Sequence, residues 1–136
     1  MTTEQIYKIQ WLNRAFHAEK NYKAWLVKLE RDRNIAERLA HGESLGKSSG
    51  SNSTETALIQ LADTEQRTWR RLQELVQIRE EITNAIKAVP DLDMQTILVR
   101  HYLAYETFEQ IADKMHYSVI TIRRKHKSAL DEVELE

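Results

Sequence analysis

Hydrophobic positions recur at helical spacing along almost the whole chain of 136 residues, and the few places where they lapse divide it. From about Thr3 to Ala40 there is no Gly or Pro. Ile9, Leu12, Phe16, Tyr22, Leu26, Leu29 and Ala36 form a stripe with the three-and-four alternation of an amphipathic helix, interrupted at Glu19 and Arg33. Trp11 and Trp25, two heptads apart with Ala18 midway, widen that face. They either close a core within the chain or offer a surface to another protein or a second copy. A second long pattern starts at Asn52 and Glu55, which have capping-box spacing, and runs toward Val89. Leu58, Leu61, Leu72, Leu75, Ile82, Ile86 and Val89 line its seam, with Glu65, Thr68 and Arg79 as polar intrusions. Between the two, His41 to Ser53 holds all three glycines and five of the seven serines, which reads as a flexible linker at 41–53. The expected fold is all-α: a coiled-coil-like antiparallel hairpin over 1–89, on the order of 50 Å long, followed by a small domain over 90–136. The same seams also fit pairing between two chains.

The break to the second domain is Pro90, the only proline, with Asp91 as a helix cap. Met94, Ile97, Leu98, Tyr102 and Tyr105 then offer one apolar face. Thr107 and Gln110 have capping-box spacing for a short helix carrying Ile111, Ala112 and Met115. After the interruption at His116–Tyr117–Ser118, Ser118 caps another helix whose inward face is Ile122, His126, Ala129, Leu130 and Val133. The order of cap, short helix, turn, cap and second helix predicts a helix-turn-helix. On the opposite arc of the second helix lie Ile120, Arg123, Arg124 and Lys127, with Thr121 beside them, and no acid occurs from Tyr117 to Leu130.

Charge refines this picture. The total is −1, which argues against a protein that coats nucleic acid indiscriminately. Residues 1–40 carry 8 basic and 5 acidic groups, whereas residues 90–136 carry 6 basic and 9 acidic. The predicted reading half is thus acidic overall, and DEVELE at 131–136 follows its basic patch directly. Duplex DNA would meet only the first half of the second helix, leaving the acidic tail to solvent or a protein. Ser118 and Thr121 are the expected phosphate contacts at the helix entrance. Arg123, Arg124 and Lys127 are assigned to phosphates or guanine edges, and Ile120 to base edges.

Other chemistry is thin. There is no cysteine, which excludes disulfides and thiolate metal sites and suits a cytoplasmic protein. His17, His41, His101, His116 and His126 show no paired-ligand spacing, so no metal or other cofactor is expected. GESLGKSS lacks the four residues that a phosphate-binding loop needs between its glycine and GK. No acid pair or nucleophile elbow organises the chain, and no apolar run approaches the 18 residues of a membrane span. The expectation is a non-enzyme without membrane contact.

The segment DLDMQTILVRHYLAYETFEQIADKMHYSVITIRRKHKSAL resembles the DNA-binding region 4 of primary-type bacterial sigma factors and related helix-turn-helix regulators. Thr107 to Ala112 match the first-helix pattern, and Ser118, Thr121 and Ile122 the start of the recognition helix. Taken with the long paired helices and the Gly/Ser linker, the chain resembles phage-encoded proteins related to late-gene transcriptional activators. That resemblance implies promoter recognition beside host RNA polymerase, in a bacterial cytoplasm. Two departures qualify it. His116 stands where such motifs usually place Gly, which implies a strained turn. Nothing resembles the sigma segment that opens the −10 element, so the implied role is accessory. Two further readings stay open: an interaction or inhibitor module built on the hairpin, with Trp11 and Trp25 as contacts, and a DNA-packaging protein of the small-terminase kind. One module neutralising about four phosphates gives a logarithmic salt slope near −3.6, which calls for a homodimer or a polymerase partner.

Overall fold

The computed structural model describes residues 1–42 and 51–135, and among these the regular structure is entirely helical, as the pattern predicts. The elements are α1 (Thr3–Leu12), α2 (Arg14–Ala40), α3 (Ser51–Lys87), α4 (Leu92–Leu98) with a π-helical continuation over Val99–Leu103, α5 (Phe108–Met115) and α6 (Val119–Glu132). Most of the expected 41–53 linker, including GESLGKSS after its first glycine, lies outside the described residues. Ser51 is already helical, so Asn52 falls inside α3 rather than at its cap. At the other end of the linker α2 stops where Gly42 takes φ +86°, a left-handed stop that glycine adopts without steric cost.

The single helix expected over 3–40 is divided at Asn13, whose φ and ψ of −73° and −5° end α1. Arg14 Nε donates to the Trp11 carbonyl at 3.0 Å, satisfying a group the broken ladder leaves over. The break also shifts the stripe. Beyond it the buried or half-buried positions include Ala15, Ala18, Glu19, Tyr22, Trp25, Leu29, Asp32, Ile35, Ala36 and Leu39, while Phe16 and Leu26 are exposed. Trp25 therefore lies within the heptad seam rather than beside it, and Asp32 rather than Arg33 is the polar member.

Two compact units divide the chain at 18/19 and 75/76, not at Pro90: one comprises Met1–Ala18 and Val76–Glu136, the other Glu19–Leu75. In the second unit α2 and α3 run antiparallel around a buried polar layer. Thr64 Oγ1 donates to Asp32 Oδ2 at 2.6 Å, Lys28 Nζ reaches the same oxygen at 2.9 Å, and Thr68 Oγ1 donates to the Thr64 carbonyl at 2.7 Å. Burial pushes the Asp32 carboxyl up, but these bonds and the nearby Lys28 and Arg31 charges outweigh it and hold the group below the usual carboxylate range. Thr64 occupies the seam position expected of Glu65, which is exposed, and Leu58 is also turned out.

The first unit carries α4, α5 and α6 and explains its own boundary. Leu12 and Ala15 share one buried core with Ile82, Ile86, Val89, Leu98, Tyr102, Ala129, Leu130 and Val133, and a second cluster joins Ile97, Ile111, Ala112 and Ile122. A three-helix motif of about 45 residues has little core of its own. Here the amino-terminal helix and the end of α3 supply the remainder. Two polar contacts fix α1 to the end of α6: Lys8 Nζ donates to the Leu130 carbonyl at 2.9 Å, and Gln5 Nε2 to Asp131 Oδ1 at 2.9 Å. A cation on a carbonyl of the last helical turn, here one that also accepts from the Val133 amide, opposes the helix's negative end. The tail beyond α6 is not wholly turned to solvent: Val133 is buried and Leu135 half-buried, with Glu134 exposed between them.

Candidate nucleic-acid interface

The pair α5 and α6 and the turn between them are assembled from local signals, each visible in the backbone geometry. Thr107 accepts from the Gln110 amide at 3.2 Å while Gln110 Oε1 accepts from the Thr107 amide at 2.8 Å, a complete capping box that starts α5. His116 ends α5 with φ 61° and ψ 40°, the left-handed conformation that the sequence implied at this position. Ser118 Oγ accepts from the Thr121 amide at 3.1 Å and starts α6. The same hydroxyl donates to Thr121 Oγ1 at 2.9 Å, so the cap occupies both of its bonding roles.

Burial of α6 follows the expected division. Ile122, His126, Ala129 and Leu130 are buried, whereas Ile120 (79% exposed), Arg123, Arg124 and Lys127 face outward. These four residues lie at i, i+3, i+4 and i+7, which spreads them over about 10 Å of helix axis, a length that fits a major groove about 12 Å wide. Thr121 is half-buried beside them. Trp11 and Trp25 lie in different compact units and are each half-buried with an arginine over the ring, Arg14 at 4.5 Å and Arg71 at 6.0 Å.

The charges on the outward face are not equivalent. Arg123 is held across the turn by Glu109 at 3.3 Å and lies 5.1 Å over the Phe108 ring. Arg124 and Lys127 have no acidic partner among the described residues. Lys125, the fourth base of the cluster, is turned away: its ammonium is 3.7 Å from Asp93 and 5.3 Å over the Tyr117 ring. Tyr117 donates to Asp93 at 2.6 Å, and that bond to a carboxylate raises the phenol's pKa. Nothing in the local spacing signals either the Glu109 contact or the Asp93 contact, because they join residues 14 and 32 positions apart in different helices.

Beneath this face lies a ring cluster. Tyr102 OH and His126 Nε2 are 2.7 Å apart, His101 stacks on Phe108 at 4.3 Å, and Phe108 meets His126 at 4.8 Å. Burial first, then the nearby His101 and Arg123, lower the His126 pKa to about 4. The ring is therefore a neutral packing element at neutral pH, the role expected of a histidine on the inward face. The π-helical turn places these rings. The Ala104 amide reaches back five residues to the Val99 carbonyl at 3.0 Å and the Glu106 amide six residues to Arg100 at 2.9 Å. Glu106 then accepts from Arg100 at 3.1 Å and from Lys114, which ties the turn to α5; the Lys114 bond leads in holding its carboxyl below the usual range. Among the described residues no three His, Asp or Glu side chains converge to hold a metal ion, and no helix is long and apolar enough to cross a membrane.

A family model described as a protein of unknown function, DUF1492, matches residues 45–134, about two thirds of the chain. The chain belongs to the DUF1492 family. No curated protein and no solved structure matches it. In this DUF1492 protein the matched span takes in α3, α4, α5 and α6, whereas α1, which supplies Leu12 to the same core, precedes it.

Proposed function

We propose that this DUF1492 protein is a sequence-specific DNA-binding transcription regulator, with α6 entering the major groove by its amino-terminal half. The observation that carries the reading is the division of α6 into a buried face and an outward arc of Ile120, Arg123, Arg124 and Lys127, entered through a capped left-handed turn. Arg124 and Lys127 supply charge to phosphates, Arg123 exchanges Glu109 for a phosphate or a guanine edge, and Ile120 meets base edges. Thr121 and the amides at the start of α6 meet the phosphate at the helix entrance. The acidic residues from Asp131 onward keep the carboxy-terminal end of α6 away from the backbone. With Lys125 held by Asp93, only about three phosphates are neutralised, and affinity at cellular salt comes from a second module, either another copy or bacterial RNA polymerase. The finer role is that of a phage late-gene activator working beside the host polymerase. Selection of binding sites from a random duplex pool tests the reading: enrichment of a common motif supports it, and an unenriched pool opposes it.

The unit formed by 19–75 favours a second reading, an interaction module. Val27 (70%), Ile59 (65%) and Trp69 (59%) are large apolar side chains left exposed on its helices. Recovery of a stoichiometric protein partner, insensitive to nuclease and to Arg123→Ala/Arg124→Ala/Lys127→Ala, would favour that role over DNA binding.

A further inference from the structure

Beside α6 lies a concavity of about 380 Å³, within the size range of small-ligand sites. His101, Tyr102, Phe108 and His126 line it with rings, Met1 and Ile9 add the aliphatic wall, and Arg123 and Lys127 complete the lining from the exposed side of α6. The ring floor is fixed by its own contacts: the stack of His101 on Phe108, the Tyr102 to His126 hydrogen bond, and a bond between His101 Nδ1 and the Glu106 carbonyl at 2.8 Å. A carbonyl only accepts, so Nδ1 carries the proton there. No acidic residue lines the concavity, whereas two cations one turn apart on α6 do. Lys127 has no acidic partner among the described residues, and the single exposed partner of Arg123 is Glu109, outside the lining.

Aromatic walls reward a flat ring, two cations reward a negative charge, and the absence of carboxylates leaves nothing to hold a cation or to neutralise the rim. We propose that this pocket binds a small flat aromatic anion, an aryl carboxylate, with its ring against the Phe108, Tyr102 and histidine rings and its carboxylate on Arg123 and Lys127. The consequence for DNA rests on the reading given above: the bound carboxylate occupies two of the cations assigned to the duplex, so the ligand and DNA compete.

The test is a ¹H–¹⁵N NMR titration of the full chain, free of DNA, with indole-3-carboxylate and with neutral indole. The expected result is a set of shifts confined to the pocket residues, with the carboxylate binding about fivefold tighter than indole, as two partly exposed ion pairs provide. Arg123→Ala/Lys127→Ala changes only exposed side chains and should bring the two ligands to equal affinity. Equal affinities in the unaltered protein, shifts elsewhere, no shifts, or an unchanged preference in the double variant would overturn the proposal. Because no duplex is present, this outcome is independent of whether α6 binds DNA. Loss of a selected duplex on adding the carboxylate is a separate measurement of the competition.

Discussion

Replacing His126 by Gln should flatten the loss of stability in mild acid, because His126 is a base that folding keeps from its proton. The side chain is 4% exposed, and its pKa falls from the ordinary 6.5 to about 4. Below pH 6.5 the unfolded chain takes up a proton that the folded chain refuses, so stability present above 6.5 is lost as pH falls toward 4. At 1.36 kcal/mol per pKa unit the full loss is about 3 kcal/mol, of which about 2 kcal/mol has gone by pH 5. Gln keeps an acceptor for the Tyr102 hydroxyl and does not titrate. Urea unfolding at pH 7.5, 6.5, 5.5 and 5.0 on both proteins isolates the effect, since the other histidines and the carboxylates titrate in each and cancel in the difference. The native protein should lose about 2 kcal/mol more than His126→Gln between pH 7.5 and 5.0. Parallel curves would refute the reasoning and leave His126 solvated or already charged in the fold.

Three stability changes follow from other contacts. His116→Gly should stabilise the protein by about 0.5–1 kcal/mol in urea unfolding, because it relieves a left-handed residue at φ 61°; destabilisation would mean the imidazole makes a contact that outweighs the strain. Lys8→Met should lower stability by about 0.5–1.5 kcal/mol by removing one of the two donors to the buried Leu130 carbonyl, which keeps the Val133 amide at 3.2 Å, and a neutral result would show that water replaces the ammonium. Thr64→Val preserves shape but removes the 2.6 Å donor to Asp32. A loss of about 1–3 kcal/mol by thermal or urea unfolding is expected, with no change in DNA binding, since Thr64 lies in the other compact unit.

Legibility in the sequence followed the range of the interaction. The caps at Thr107 and Ser118 are set by residues three positions away, and the sequence displays them as spacing, whereas the left-handed His116 followed only from the resemblance, in which Gly usually holds that place. Long-range contacts left no such trace. Lys8 carries no local signal of burial, and its acceptor lies 122 residues away at the end of α6. For the same reason α1 reads as part of a hairpin, although Leu12 belongs to the core beneath α6. The stripe itself misleads past Asn13, because a local break rotates the buried face and exchanges Phe16 for Ala15 and Leu26 for Trp25. Polar seam residues also cost accuracy. Thr64 and Asp32 are buried because they bond each other, a pairing that hydropathy cannot register. At the candidate interface the outward arc was legible from helical period alone, but the Glu109 hold on Arg123 and the diversion of Lys125 to Asp93 required the fold.

Whether the outward face of α6 reads duplex DNA is decided by the dissociation constant of a selected duplex at 50 and 200 mM salt. Reading by the three cations Arg123, Arg124 and Lys127 predicts a logarithmic salt slope of about −2.7 per module for the native protein, less than the four-phosphate value because Lys125 is held by Asp93. It predicts that Arg123→Ala/Arg124→Ala/Lys127→Ala loses specific binding and most of that slope while remaining folded. Retention of the native affinity and slope by the triple variant would contradict it.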